Sequence, residues 1–116
     1  MSAPIVHGEI PAKDYDTADK FHSEVFGWKI TVDKQFNYHM FESQGGPDGG
    51  FIAADGKNGV LPYLGSDDID AALKKINAAG GKTVTPKTEI PGMGWFAVFT
   101  DPTGNRLGLF TGMRQQ

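Results

Sequence analysis

Two polar side chains near the start of the chain have the types and spacing for chemistry. His7 and Glu9 flank Gly8 in an apolar stretch that predicts a strand over 5–10, ended by Pro11. Because alternate residues of a strand share a face, both side chains point the same way. A histidine beside a carboxylate can act as a general base with a partner, or as a polar anchor for a bound molecule.

The other two histidines favour structural roles. His39 lies in the predicted strand 38–42, where it shares a face with Phe41 and not with Tyr38. Alternation leaves open which of these faces lines a ligand site. His22 lies in the first predicted helix and is expected on its surface. The glycine-rich run at 45–50 lacks the Lys-Ser/Thr ending of a phosphate-binding loop and is expected to be a flexible hairpin connection.

Composition narrows the class of protein. The chain has 116 residues, 39% hydrophobic, which predicts a single domain with one core. There is no cysteine, which excludes disulfides, thiolate metal sites and cysteine nucleophiles. The net charge is −3 and the basic residues are scattered, so we expect no nucleic-acid partner. No stretch resembles a membrane span or a cleavable leader, and a cytoplasmic location is expected.

Periodicity and turn signals predict the same succession twice, namely a strand, a helix and three more strands. In the first half the helix begins at the capping residue Asp14 and ends at Gly27. In the second half Asp67 or Asp68 caps a helix that ends at Gly80-Gly81. The strands are predicted at 5–10, 28–32, 38–42, 51–54, 60–64, 82–85, 95–100 and 107–110.

A shift of 54 residues tests this repeat. It lays Asp14 on Asp68 and Gly27 on Gly81, so that the helix caps and the stop glycines coincide. The sequence therefore predicts an α+β domain spanning 1–116. It consists of two tandem βαβββ modules, at about 4–54 and 59–112, that form a curved mixed sheet around a cleft. Such a cleft is the expected binding place for a small molecule.

Several segments also resemble the vicinal-oxygen-chelate superfamily, which includes glyoxalase I, the bleomycin-resistance proteins and the extradiol dioxygenases. The resemblance is greatest to small bacterial proteins described as related to lactoylglutathione lyase, and it extends over nearly the whole chain. It implies the paired βαβββ fold and a homodimer. The matching segments are Val6-His7-Gly8-Glu9-Ile10-Pro11-Ala12, Ala18-Asp19-Lys20-Phe21-His22-Ser23-Glu24-Val25-Phe26-Gly27-Trp28, Asp67-Asp68-Ile69-Asp70-Ala71-Ala72-Leu73, Ala79-Gly80-Gly81-Lys82-Thr83-Val84, Gly94-Trp95-Phe96-Ala97 and Asp101-Pro102-Thr103-Gly104-Asn105-Arg106.

The resemblance also allows a test for a metal site. Metal-dependent members bind their ion through His and Glu side chains on the first and last strands of each module. Carried over, these positions fall on His7, near Ile52, and on Leu61 and Gly108, and only His7 can bind a metal. Because metal sites use three or four protein ligands as a rule, no cofactor is expected. The alternative is a weak divalent-metal site at His7 and Glu9.

Two functions follow from these residues, beside a third possibility, a structural or accessory subunit that binds no ligand. The first is a metal-free protein that binds an aromatic or amphipathic molecule in an apolar cleft. Its expected contacts are His7, Glu9, Tyr63, Trp95 and Phe110, although the aromatic side chains are equally compatible with a core under the helices. The second is an enzyme, an isomerase or lyase of the glyoxalase-like type, with His7 as general base and Glu9 or Tyr63 as its partner.

Overall fold

A computed structural model describes residues 3–35 and 37–112. Within these ranges the chain forms two helices and eight strands, in the predicted order. The elements are β1 (Ile5–Ala12), α1 (Tyr15–Phe26), β2 (Lys29–Asp33), β3 (Tyr38–Glu42), β4 (Asp48–Ala53), β5 (Leu61–Gly65), α2 (Ile69–Ala78), β6 (Lys82–Ile90), β7 (Gly94–Thr100) and β8 (Arg106–Gly112). The predicted α+β class with two βαβββ modules is confirmed.

The N-terminal unit comprises His7–Leu61. Its strands are ordered β2-β3-β4-β1, with β4 parallel to β1 and antiparallel to β3. Aromatic rings fill the space between this sheet and α1. Phe51 is fully buried, and the ring of Phe41 lies 4.3 Å from Trp28 and 5.3 Å from Phe51. Stacked and tilted rings therefore form much of this core.

The C-terminal unit consists of the chain from Pro62 onward together with the first residues up to Val6. Its strands are ordered β5-β8-β7-β6, and β5 is parallel to β8 just as β1 is to β4. The N-terminal residues join it through a hydrogen bond from the Gly65 amide to the Pro4 carbonyl, 2.8 Å long. Helix α2 covers one face of this sheet over an aliphatic and aromatic core formed by Ile69, Leu73, Ala97, Phe99 and Leu109.

The helix boundaries agree with the sequence signals. Asp14 accepts a hydrogen bond from the Asp16 amide at the start of α1, and Asp68 accepts one from the Ala71 amide at the start of α2. Gly27 ends α1 in the left-handed conformation, with φ of 72°. Among the described residues, neither helix has the length and apolar character needed to cross a membrane.

Several strand boundaries differ from the prediction, most of all the end of β6, which continues past the predicted Thr85 to Ile90. Strand β1 does not end at Pro11 but continues to Ala12, because a proline is accommodated where its nitrogen need not donate to the ladder. Strand β4 begins at Asp48, inside the run 45–50 that was expected to be a loop. Its two glycines are buried under neighbouring groups, so that the absence of a side chain permits pairing there instead of preventing it.

Candidate functional site

The sheet of the N-terminal unit has one face turned toward α1 and one turned away from it. Register and alternation place His7 and Glu9 of β1 on the face away from α1, beside Asp48 and Gly50 of β4. We call this surface the outer face of the unit. The predicted common face of His7 and Glu9 is therefore present in the structure.

A hydrogen-bond chain joins three side chains on the outer face. The Tyr38 hydroxyl donates to Glu9 Oε2 at 3.2 Å and lies 3.0 Å from His7 Nε2. A hydroxyl has one proton, and an ionised carboxylate is its stronger acceptor. His7 must then donate its own Nε2 proton to the Tyr38 oxygen. The chain thus sets both the tautomer and the orientation of the imidazole.

Burial determines the charge of His7. Desolvation lowers the pKa of His7 below its ordinary value, while the carboxylates of Glu9 and Asp48 act in the opposite direction and do not reverse the shift. The imidazole is therefore neutral at pH 7. A neutral ring agrees with the hydrogen-bond chain, in which Nε2 donates to an uncharged phenol oxygen.

Tyr38 is the member of this chain that the sequence did not identify as a site residue. It lies on β3, which is separated from β1 by β4, so its side chain must cross β4 to reach His7 and Glu9. It crosses at Gly50, where a Cβ atom would collide with the phenol ring. The same register assigns the two faces of the strand at 38–42. The face with Tyr38 carries His7, and the face with His39 lies toward α1.

The two remaining histidines lie on the α1 side of the sheet. His39 is buried, and its Nδ1 is 2.7 Å from Asp19 Oδ2, while its ring contacts Tyr15 at 4.7 Å. His22 was expected on the helix surface, and this was wrong. Its Nδ1 lies 2.8 Å from the Ala18 carbonyl oxygen, and its ring lies 5.0 Å from Phe51, because the helix turn that carries it faces the sheet.

A shallow depression of about 380 Å³ lies beside His39 and not on the outer face. Its lining comes from the loop before α1 and the first turn of that helix, together with Ala53. Asp14 is already occupied there as the helix cap, since its carboxylate accepts from the Asp16 amide and the Thr17 hydroxyl. The depression therefore adds nothing to the His7 chain.

The three aromatic side chains predicted as ligand contacts in the C-terminal unit do not share one face. Leu109 packs under α2, so alternation places Phe110 and Gly108 on the opposite face, which also carries Tyr63 over Gly108. Trp95 packs against the α2 core instead, with Lys87 Nζ 5.3 Å from its ring centroid. The structure thus groups Tyr63 with Phe110 and separates Trp95 from them.

The donor groups do not fit a divalent metal ion. The last-strand position of the first module was expected near Ile52, but strand register places it at Gly50. Gly50 pairs with Glu9 as Gly108 pairs with Tyr63, whereas Ile52 pairs with Pro11. Neither glycine provides a ligand, and a tyrosine ring covers each. Within the described residues no group of three or more His, Asp or Glu side chains could hold a metal.

Comparisons with known proteins agree with this architecture. Residues 4–109 match the family model described as the glyoxalase/bleomycin resistance protein/dioxygenase superfamily. A glyoxylase-like domain-containing protein of Didymella fabae is 29% identical over 123 residues, which cover 92% of this chain and 96% of that protein. Anthracycline biosynthesis protein DnrV of Streptomyces peucetius is 27% identical over 120 residues. That match covers 83% of this chain but only 42% of DnrV.

Solved structures show the same fold at low sequence identity. The crystal structure of methylmalonyl-CoA epimerase from Mycobacterium tuberculosis superposes with a TM-score of 0.71 at 14% identity. The superposition covers 93% of this chain and 87% of the epimerase chain.

Proposed function

This chain belongs to the glyoxalase/bleomycin resistance protein/dioxygenase superfamily, and we propose that it binds a small aromatic or amphipathic molecule on its outer face without a resident metal ion. The observation that carries the proposal is the chain His7–Tyr38–Glu9. Three side chains from two strands fix one another's orientation on the face that no helix of the unit covers. Fixed polar groups of this kind orient a ligand, while neighbouring apolar surface supplies affinity.

The charges around the hydrogen-bonded His7, Tyr38 and Glu9 favour an uncharged or cationic ligand. His7 is neutral because burial lowers its pKa, and Glu9 and Asp48 are the charged groups that act on it. An anionic ligand would meet carboxylates without a compensating imidazolium. Met40 and Ile52 lie on the same face by alternation and provide apolar surface beside the polar groups.

The relatives support the class of ligand. DnrV is named an anthracycline biosynthesis protein. This chain spans less than half of that relative, so the likeness supports an aromatic ligand and does not identify one. Tyr63 and Phe110 are proposed as further ligand contacts. Trp95 is not proposed, because it packs on the α2 side of its sheet.

A matched series of probes tests the proposal. We would titrate the protein at pH 7 with 2-naphthol, 2-naphthylmethylamine and 2-naphthoate and follow the amide and His7 ring resonances by NMR. We expect the first two to bind and to shift Tyr38, His7 and Glu9, and naphthoate to bind more weakly. Tyr38→Phe should weaken naphthol binding, and Tyr15→Phe is the matched control on the other side of the sheet. Failure of all three probes to bind the wild-type protein, or equal affinity of 2-naphthol for the wild-type protein and Tyr38→Phe, would contradict the proposal.

A second candidate is an isomerase or lyase with His7 as general base. The specific observation in its favour is the lowered pKa of His7, since a base must be neutral at the working pH. The same fold occurs in a protein named as an epimerase, the methylmalonyl-CoA epimerase of Mycobacterium tuberculosis. Exchange of deuterium from solvent into an added carbonyl compound, abolished in His7→Gln, would favour this candidate over simple binding.

We also propose that the protein is a cytoplasmic homodimer. Helix α1 supports the dimer because Phe21, Val25 and Phe26 are each more than half exposed and form an apolar surface that a second copy could cover. Sedimentation analysis of the protein and of Phe21→Glu tests this. A monomeric protein at all concentrations would refute the dimer, and cell fractionation tests the location.

A further inference from the structure

Each unit carries a glycine on its last strand over which a tyrosine ring lies. The two tyrosine–glycine pairs are Tyr38 with Gly50 and Tyr63 with Gly108. We propose that these pairs prevent the sheet faces away from α1 and α2 from carrying a metal-binding side chain on the last strand of each unit. The rings occupy the space through which a side chain from the last strand would extend, so that phenol groups replace metal-binding carboxylates there.

The N-terminal pair leaves no space for a side chain at position 50. A Cβ built on Gly50 would lie closer than 3.0 Å to Tyr38 Cζ, Oη and Cε1, an approach that real Cβ atoms essentially never show. The ring can swing aside only at a cost. Its hydroxyl is held by His7 and Glu9, so displacing it breaks the hydrogen-bond chain on which the proposed binding function rests.

The C-terminal pair has the same geometry, but its tyrosine comes from a different strand of the unit. A Cβ on Gly108 would lie within 3.0 Å of Tyr63 Cδ2, Cε2 and Cγ. Tyr63 comes from the first strand of its unit, β5, whereas Tyr38 comes from the third strand of the other unit, β3. The glycines are equivalent in strand register but the tyrosines are not. The same covering of the last strand is therefore built from non-equivalent residues in the two units.

The consequence concerns metal binding. A divalent ion needs three or four ligands as a rule, and His7 and Glu9 are the two donors nearest position 50. Asp48 lies on the same face, but within the described residues the three do not form a group that could hold an ion. Position 50 pairs directly with Glu9 and is the place for a third. A carboxylate can occupy it only when the Tyr38 ring is absent.

A double-mutant cycle tests the pair without any ligand. Gly50→Ala should lower the Tm by roughly 5–15 °C, the cost of forcing a methyl group into filled space. In a Tyr38→Ala background the same change should shift the Tm by only about 2 °C. Gly8→Ala is the matched control, because a Cβ there meets nothing within 4 Å. Equal effects of Gly50→Ala in both backgrounds would overturn the proposal.

Cobalt binding tests the consequence directly. We would titrate Co²⁺ into Gly50→Glu and into Tyr38→Ala/Gly50→Glu and record visible absorption, with Tyr38→Ala/Gly50→Gln as the control for the carboxylate. Only the variant that combines Tyr38→Ala with Gly50→Glu should develop cobalt bands, and adding His7→Ala should remove them. Cobalt bands in Gly50→Glu with an unchanged Tm would overturn the proposal. A folded Tyr38→Ala/Gly50→Glu protein that binds no cobalt would also overturn it.

The two proposals fail separately. If naphthol binding is absent but Gly50 and Tyr38 are coupled in the cycle, the proposed function is wrong and the tyrosine–glycine inference stands. If naphthol binds but the cycle shows no coupling, the inference is wrong and the proposed function stands.

Discussion

The two units have the same order of elements but bury their helices differently. Helix α2 inserts Ile69 and Leu73 into a shared core, and Ile69 is only 1% exposed. Helix α1 contains no buried residue, and its Phe21 and Phe26 are 52% and 57% exposed. The core of the N-terminal unit is made by rings on its strands and at Trp28, which the helix only partly covers. A repeated backbone pattern therefore does not imply a repeated distribution of packing energy.

The faces away from the helices differ in chemistry as well. The first strand of the N-terminal unit places His7 and Glu9 on its outer face, whereas the corresponding residues of β5 are Leu61 and Tyr63. The strand register, in contrast, is the same in both units, since Glu9 pairs with Gly50 and Tyr63 with Gly108. Backbone pairing is thus the same in the two units, while the side chains on the faces away from the helices differ.

The largest expected effect concerns the helices. Ile69→Ala should reduce the free energy of unfolding by about 2–5 kcal/mol, because it leaves a cavity in a closed core. Val25→Ala on α1 should change it by only about 0.5 kcal/mol in dilute solution, since that side chain is exposed. Urea unfolding of both variants measures the difference. Similar losses would show that the two helices contribute equally after all. A loss for Val25→Ala that grows with protein concentration would indicate that a second copy covers α1.

A smaller effect is expected at the hydrogen-bond chain. Tyr38→Phe removes the hydroxyl that joins His7 and Glu9 and should cost about 1–2 kcal/mol, because two partly buried groups lose a partner. Tyr15→Phe is the control, since the Tyr15 hydroxyl makes no hydrogen bond within the described residues. The ¹⁵N shifts of the His7 ring should report a protonated Nε2 in the wild-type protein and a mixture of tautomers in Tyr38→Phe. An unchanged His7 tautomer in Tyr38→Phe would show that the hydrogen bond to Tyr38 does not determine the tautomer.

The smallest effect is a dependence on pH. The pKa of folded His7 is lowered, so the unfolded chain binds the proton more tightly than the folded one. Stability therefore falls as the pH drops from about 6.5 toward the lower pKa of the folded protein, and above 6.5 the penalty is absent. His7→Gln should have a shallower loss of stability between pH 7 and pH 5, measured by thermal unfolding. A steeper loss in the variant would mean that Glu9 and Asp48 outweigh burial.

Local signals predicted much of the fold correctly. Asp14 and Gly27 bound the first helix as their side-chain and backbone preferences indicate, and alternation placed His7 and Glu9 on one face. The contact of Tyr38 with His7 and Glu9 could not be predicted, because it depends on strand order. That order places β4 between β3 and β1, so the Tyr38 side chain crosses β4 at Gly50. Trp95 shows the same limit. Alternation in the strand puts Trp95 on one face with Ala97 and Phe99, but it does not indicate that α2 covers that face.

The placement of the two tryptophans has a practical consequence. Trp28 stacks between His22 and Phe41 in the N-terminal unit, with ring centroids 5.0 Å and 4.3 Å away, and Trp95 lies in the C-terminal unit beside Lys87. The chain contains only these two. Each half of the molecule thus carries its own intrinsic fluorophore, and Trp28→Phe and Trp95→Phe would allow the melting of one half to be observed without interference from the other.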